Sequence, residues 1–253
     1  MFIDTHCHLT DRYNDGADDI ILRANSAGVG GMVCATAQPG DIAAALNIAH
    51  THKNIFCTTG FHPDCAGTVN AADFLTATVL NDDAVIGIGE IGLDYHERDD
   101  NKTEQIKLFT DQLEIAKQYD LPVAIHTRDA EQDTAQFLTN KNHGVLHCFT
   151  SSWNLAKVML DRGFYFSASG ILTFKNAADI REVFAKIPND KIVIETDSPF
   201  CAPVPYRGKT CEPAFVIETA KVLAQIKNLQ LDELESILIE NTTRLYPKIK
   251  LEK

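Results

Sequence analysis

The chain has 253 residues, which fits either one large α/β barrel or two small domains. With 45% hydrophobic and 23% charged residues it has the composition of an ordinary globular protein with ample core. A net charge of -12 repels a phosphate backbone at long range and excludes a general nucleic-acid scaffold, so any action on phosphates requires a metal centre or a few placed cations.

The chain opens on Phe2-Ile3-Asp4-Thr5-His6-Cys7-His8-Leu9, a short apolar strand running into two histidines. Side chains at i and i+2 of an extended backbone share a face, so Asp4, His6 and His8 are expected to line up where two imidazoles can hold a divalent metal. Further apolar, β-branched runs predict strands near Gly31–Ala35, Ile55–Thr59, Val85–Gly89, Pro122–Ile125, Gly144–Leu146, Phe164–Ala168 and Lys191–Glu195, after a first at Phe2–Asp4. Helical spacing falls between them, at Ala17–Ala27, Asp41–His52, Ala71–Leu80, Thr103–Tyr119, Glu131–Thr139, Asn154–Asp161 and Ala178–Ile187. Two more helices follow, at Pro213–Ile226 and Leu231–Tyr246, and Lys248–Lys253 reads as a frayed tail.

Eight β-then-α units predict a (β/α)8 TIM barrel. A doubly wound open sheet is the rival, but no G-x-G-x-x-G opens the first helix. No Ser/Gly-rich linker or charge block divides the chain, so residues 1–253 read as one barrel domain. No uncharged apolar run is long enough to span a bilayer, and Asp4 interrupts any signal-peptide core. Seven cysteines without a C-x-x-C pair argue against a disulfide framework or zinc ribbon, and Cys34 and Cys57 read as small hydrophobes. The expectation is a cytoplasmic protein with no membrane association and no obligate protein partner.

Polar residues collect at the strand ends, on the C-terminal face where barrel chemistry resides. Strand one ends at His6 and His8, strand three at His62, strand four at Glu90, strand five at His126 and Arg128, strand six at His147, and strand eight at Glu195 and Asp197. The two-residue period puts Ile86, Ile88 and Glu90 on one face, as it does Ala124 with His126, Val145 with His147, and Glu195 with Asp197. One His-x-His is weak evidence. His50-x-His52 lies on a predicted helix, where i and i+2 diverge, and reads as surface, as do His96 and His143. Four histidines and two carboxylates converging from five strand ends are different, because burying even one unpaired carboxylate costs on the order of several kcal/mol. A bound cation removes that cost.

These residues resemble the TatD family of metal-dependent deoxyribonucleases, within the amidohydrolase-like barrels. The likeness runs from Asp4-Thr5-His6-Cys7-His8-Leu9 through Gly89-Glu90-Ile91-Gly92-Leu93-Asp94-Tyr95 and His147-Cys148-Phe149 to Glu195-Thr196-Asp197-Ser198-Pro199 and Pro203-Val204-Pro205-Tyr206-Arg207-Gly208-Lys209. It implies that His6, His8, Glu90 and Asp197 hold one metal, and that Glu90 bridges to a second held by His126 and His147. It places His62, Glu195 and Arg128 around these ligands or against substrate. It also implies Mg2+-dependent cleavage of DNA, often single-stranded and from the 3′ end, with RNA a further substrate. Three departures bear on substrate contacts more than on metal binding: Asp64 where the family often has His, Thr150-Ser151 for Ser-Gly, and Thr210-Cys211 for Arg-Asn.

On that reading two divalent ions leave the centre locally positive despite the acidic chain. Arg207 and Lys209 offer a second anchor, and Tyr206, Phe61, Tyr95, Phe149 and Phe200 are candidates to stack on a base. The expected mechanism is two-metal hydrolysis, with Asp197 orienting the attacking water and His62 protonating the leaving 3′ oxygen. The nitrogen-rich ligand set favours Zn2+ or Mn2+ as bound species even where Mg2+ supports turnover. The alternatives are a small-molecule amidohydrolase, lactonase or phosphotriesterase, and a non-catalytic metal-stabilised binding module.

Overall fold

A computed structural model describes residues 1–10, 13 and 15–251. Its strands are β1 (Phe2–Cys7), β2 (Val29–Ala35), β3 (Ile55–Thr58), β4 (Val85–Asp94), β5 (Val123–Arg128), β6 (Gly144–Leu146), β7 (Tyr165–Ala168) and β8 (Ile192–Ile194). They form one sheet in chain order, every ladder parallel. Such strands are buried on both faces, which explains their near-continuous apolar runs.

The helices are α1 (Gly16–Ser26), α2 (Asp41–Thr51), α3 (Ala77–Leu80), α4 (Lys102–Gln118), α5 (Glu131–Phe137), α6 (Trp153–Asp161), α7 (Ala178–Lys186), α8 (Val216–Lys227) and α9 (Leu231–Leu245). The long third helix expected over Ala71–Leu80 is instead a 3-10 turn at Ala71–Asp73 and the single turn α3, with Thr76 extended between them. Buried apolar residues of α1, α2, α4, α6, α7, α8 and α9 join the strands in one core cluster. Among the described residues no helix is long and apolar enough to cross a membrane.

The barrel closes where the ends of β1 and β8 meet. His8 N donates to Ser198 O (2.8 Å) and Asp197 N to His6 O (3.0 Å), with Cys7 paired in parallel to Ser198. The closure therefore carries three of the expected metal ligands on its own backbone.

The lumen is filled at its lower end by Val33, Ile86, Ala124, Val145 and Val193, plugged by Leu245, Tyr246 and Ile249. This overturns the frayed tail for the part described: Ile249 is buried and Lys248 Nζ donates to Val85 O at 2.8 Å. Residues 252 and 253, the last two of that expected tail, lie outside the described residues.

Two face assignments are also corrected. Ile88 packs in the outer core with the helices, whereas Ile86 lines the lumen. The ladder slips between Cys57 and Thr58 on one side of β4 and between Ile88 and Ile91 on the other, and these slips turn Glu90 inward. Asp4 does not line up with the histidines. It pairs with Met32 of the outer core, a slip separates it from Cys7, and its carboxylate accepts from His6 N (3.2 Å), Thr196 N (3.0 Å) and Thr196 Oγ1.

Candidate metal centre

Above the lumenal plug, four histidines surround Glu90. Its Oε1 lies 2.9 Å from His126 Nδ1 and 2.8 Å from His147 Nε2. Its Oε2 lies 3.6 Å from His6 Nε2 and 3.5 Å from His8 Nε2. Asp197 Oδ1 approaches the same pair, 3.6 Å from His8 Nε2 and 4.0 Å from His6 Nε2. All six expected ligands are thus brought to one pocket, and one carboxylate faces two histidine pairs with different oxygens.

The far nitrogens explain why the rings point as they do. His126 Nε2 is 2.9 Å from Asp94 Oδ2, His147 Nδ1 is 3.3 Å from Glu195 Oε1, and His8 Nδ1 is 3.1 Å from Ala35 O. An acceptor on the outer nitrogen fixes the tautomer and leaves the inner lone pair for a cation, the usual arrangement around metal-ligating histidine. Glu195 is itself fixed by Cys148 N at 2.6 Å. Gly92 makes room for this wall: at φ +148°, an added Cβ would stand 1.9 Å from His126 O.

Charge in the pocket is tightly coupled. Burial pushes the Glu90 carboxyl up, but His147, His126 and His6 hold it well below the usual carboxylate range. Burial pushes His147 down, yet Glu90 and Glu195 together raise it well above an ordinary imidazole. His6 is lowered by burial and by the neighbouring His147, whose ring stacks on it at 4.0 Å. His6 Nε2 is buried without a hydrogen-bond partner, an unsatisfied donor or acceptor at the focus of the pocket. That orphan atom, with the mixed nitrogen and oxygen donors around it, fits a divalent cation.

His62 stands beside this set, Nε2 3.8 Å from Glu90 Oε1. Asp64 N donates to His62 Nδ1 at 3.2 Å, and the Asp64 carboxylate lies 3.1 Å from the same nitrogen. Both contacts hold the ring through Nδ1 and leave Nε2 facing the pocket, where His62 joins Asp94 and His126 as a group of potential ligand atoms.

Asp94 had no role assigned from sequence. Glu90, Gly92 and Asp94 alternate at the period of a strand, and that signal could have found it. The structure also groups Asp94 with His62 and His126 as potential ligands. Arg128 reaches Glu97 Oε1 (2.9 Å) and comes within 4.0 Å of Asp94 Oδ2. It lines a cavity of about 550 Å³ with Tyr95, Lys102, Thr150 and Ser151.

The other proposed substrate contacts are more engaged with the protein. Arg207 lies 3.7 Å over the Phe174 ring and donates to Ala202 O, and Tyr206 stacks on Phe215 at 3.9 Å with Lys209 near it. Phe61 and Phe149 are buried, so neither offers a face to a base, whereas Phe200 is half exposed and edges His8. As expected, His50 and His52 turn away from the centre, to Asp82 and Asp18.

An eight-stranded parallel barrel with this pocket at its strand ends is the frame of a metal-dependent hydrolase, the class its relatives share. The family model described as TatD related DNase matches residues 3–247, and the chain belongs to that family. It is 36% identical over 252 residues to YabD of Bacillus subtilis, described as an uncharacterized metal-dependent hydrolase, covering 97% of this chain and 99% of that one. YcfH of Escherichia coli, described in the same words, is 34% identical over 259 residues, covering 97% and 96%. Among solved structures, the TatD homologue YjjV of Escherichia coli superposes with a TM-score of 0.84 at 27% identity, covering 97% of this chain and 98% of that one.

Proposed function

We propose that this hydrolase cleaves phosphodiester bonds in nucleic acid, trimming single-stranded DNA from the 3′ end with RNA as a further substrate, and that it uses two divalent cations. The observation that carries the proposal is the division of Glu90, Oε1 toward His126 and His147 and Oε2 toward His6 and His8. His6, His8 and Asp197 would hold one ion, His126 and His147 the other. When bound, such ions act as Lewis acids toward a phosphoryl oxygen and lower the pKa of water.

The chain's own groups supply the rest. Asp197 accepts a proton from the attacking water and orients it in line with the scissile bond. His62 Nε2–H donates to the departing 3′ oxygen. Arg128, at the edge of the adjoining cavity, holds a neighbouring phosphate, and Arg207, Lys209 and Tyr206 steady the strand further out. The family description supports nucleic acid as substrate. β4, which in many small-molecule hydrolases of this type offers a bridging lysine, has none here.

The test strips the metal with chelator, restores Mg2+, Mn2+ or Zn2+ separately, and supplies single strands labelled at either end. A ladder of shortened 5′-labelled products is expected. Inertness toward every polynucleotide, with turnover of lactones or phosphotriesters, refutes the proposal.

A further inference from the structure

Asp197 has a second oxygen that the histidine pocket does not use. Oδ1 faces His6 and His8, while Oδ2 lies 3.5 Å from Cys201 Sγ. Across from Cys201 stands Cys148, whose Sγ donates to Ser169 Oγ at 3.2 Å. Ligand atoms of Cys148, Asp197 and Cys201 all lie within 4.8 Å of one another. All three residues have left-handed backbone, at φ +41°, +56° and +54°, Cys148 after β6 and Asp197 and Cys201 in the loop after β8. Both thiols are partly exposed, and apart from Cys65 the other cysteines are buried.

We propose that Cys148, Cys201 and Asp197 Oδ2 form a second, thiolate-rich site for a soft divalent cation such as Zn2+ or Cd2+. Thiolate–zinc bonds of about 2.3 Å in tetrahedral geometry put neighbouring ligand atoms roughly 4 Å apart, inside the 4.8 Å that spans the three ligand atoms here. Two sulfurs select against Mg2+ and for the softer ions, and sulfur ligation distinguishes a cation held here from one in the histidine pocket. Each thiol gives its proton to solvent as it ligates, and the fourth position stays open beside Ser169. Because the carboxylate is shared, a cation held by the thiols draws Asp197 toward itself and makes the two sites interdependent. Excess zinc or cadmium thereby regulates the centre through one oxygen of one residue. None of this depends on which bond the enzyme hydrolyses.

The probe is Cd2+, titrated into the full chain equilibrated with Mg2+, read by the ultraviolet charge-transfer band that only sulfur ligation produces. The band should reach the intensity of two thiolates per chain and no more, however much Cd2+ enters the histidine pocket. It should fall by half or more in Cys148→Ser and in Cys201→Ser, vanish in the double variant, and persist in Cys65→Ser. A band unchanged in the double variant, or lost with Cys65, overturns the assignment. A second measurement needs no variant: cadmium should slow alkylation of Cys148 and Cys201 by about tenfold or more, since a ligated thiolate is not free to react. Equal alkylation rates with and without cadmium also overturn it.

Discussion

Asp94 Oδ2 lies 2.9 Å from His126 Nε2, and this pair decides which nitrogen of His126 faces Glu90. Removing such an outer carboxylate typically weakens metal affinity by about 10–100-fold. Asp94→Asn should therefore bind Mn2+ about 10–100-fold more weakly by calorimetric titration, with an unchanged circular-dichroism spectrum. Unaltered affinity would separate Asp94 from the metal centre.

Glu90 is the residue whose two oxygens meet both histidine pairs. Glu90→Gln keeps the shape and removes the charge, so hydrolysis should fall by about 100-fold or more while the fold persists. Activity close to that of the unmutated protein would remove Glu90 from the bridging role.

Metal binding should release protons. Before any cation binds, Glu90 and Glu195 raise His147 well above an ordinary imidazole, and Asp94 and Glu90 raise His126 against the effect of burial. Both rings must shed a proton before ligating, so apparent Mn2+ affinity should increase as pH rises from about 6 toward the raised His values. Titrations in buffers of different ionisation enthalpy measure the proton count directly. Zero release would show that neither ring carries an extra proton before the cation binds.

Much of this was legible in the sequence, for a physical reason. A buried parallel strand writes itself as an apolar run, and a polar residue at its end must face the barrel mouth or be paired; His126, His147 and Asp197 stand out on those grounds alone. Glu90 stood out too, but for a mistaken reason. Its inward aim comes from ladder slips against β3 and β5, and a slip depends on neighbouring strands that a local period does not encode. The same holds for Asp4, separated from His6 and His8 by a slip in β1, and for Ile249, whose burial depends on where the barrel floor lies.

Asp4 offers a test of stability rather than activity. Burial pushes its carboxyl up to about 8, against the favourable bonds from Thr196 and His6. Between about pH 4 and 8 the folded protein thus keeps a proton that the unfolded chain releases, so this residue makes stability fall as pH rises through that window. Asp4→Asn mimics the protonated form and should remove that part of the slope in denaturant melts. An identical slope in the variant would mean that Asp4 is ionised in the fold.

The most direct measurement is anomalous diffraction from crystals grown with Mn2+. The expected result is two manganese peaks flanking Glu90, one bounded by His6, His8 and Asp197 and the other by His126 and His147. Anomalous density absent from that pocket, with the six side chains ordered around it, would contradict the assignment of these residues as a metal centre.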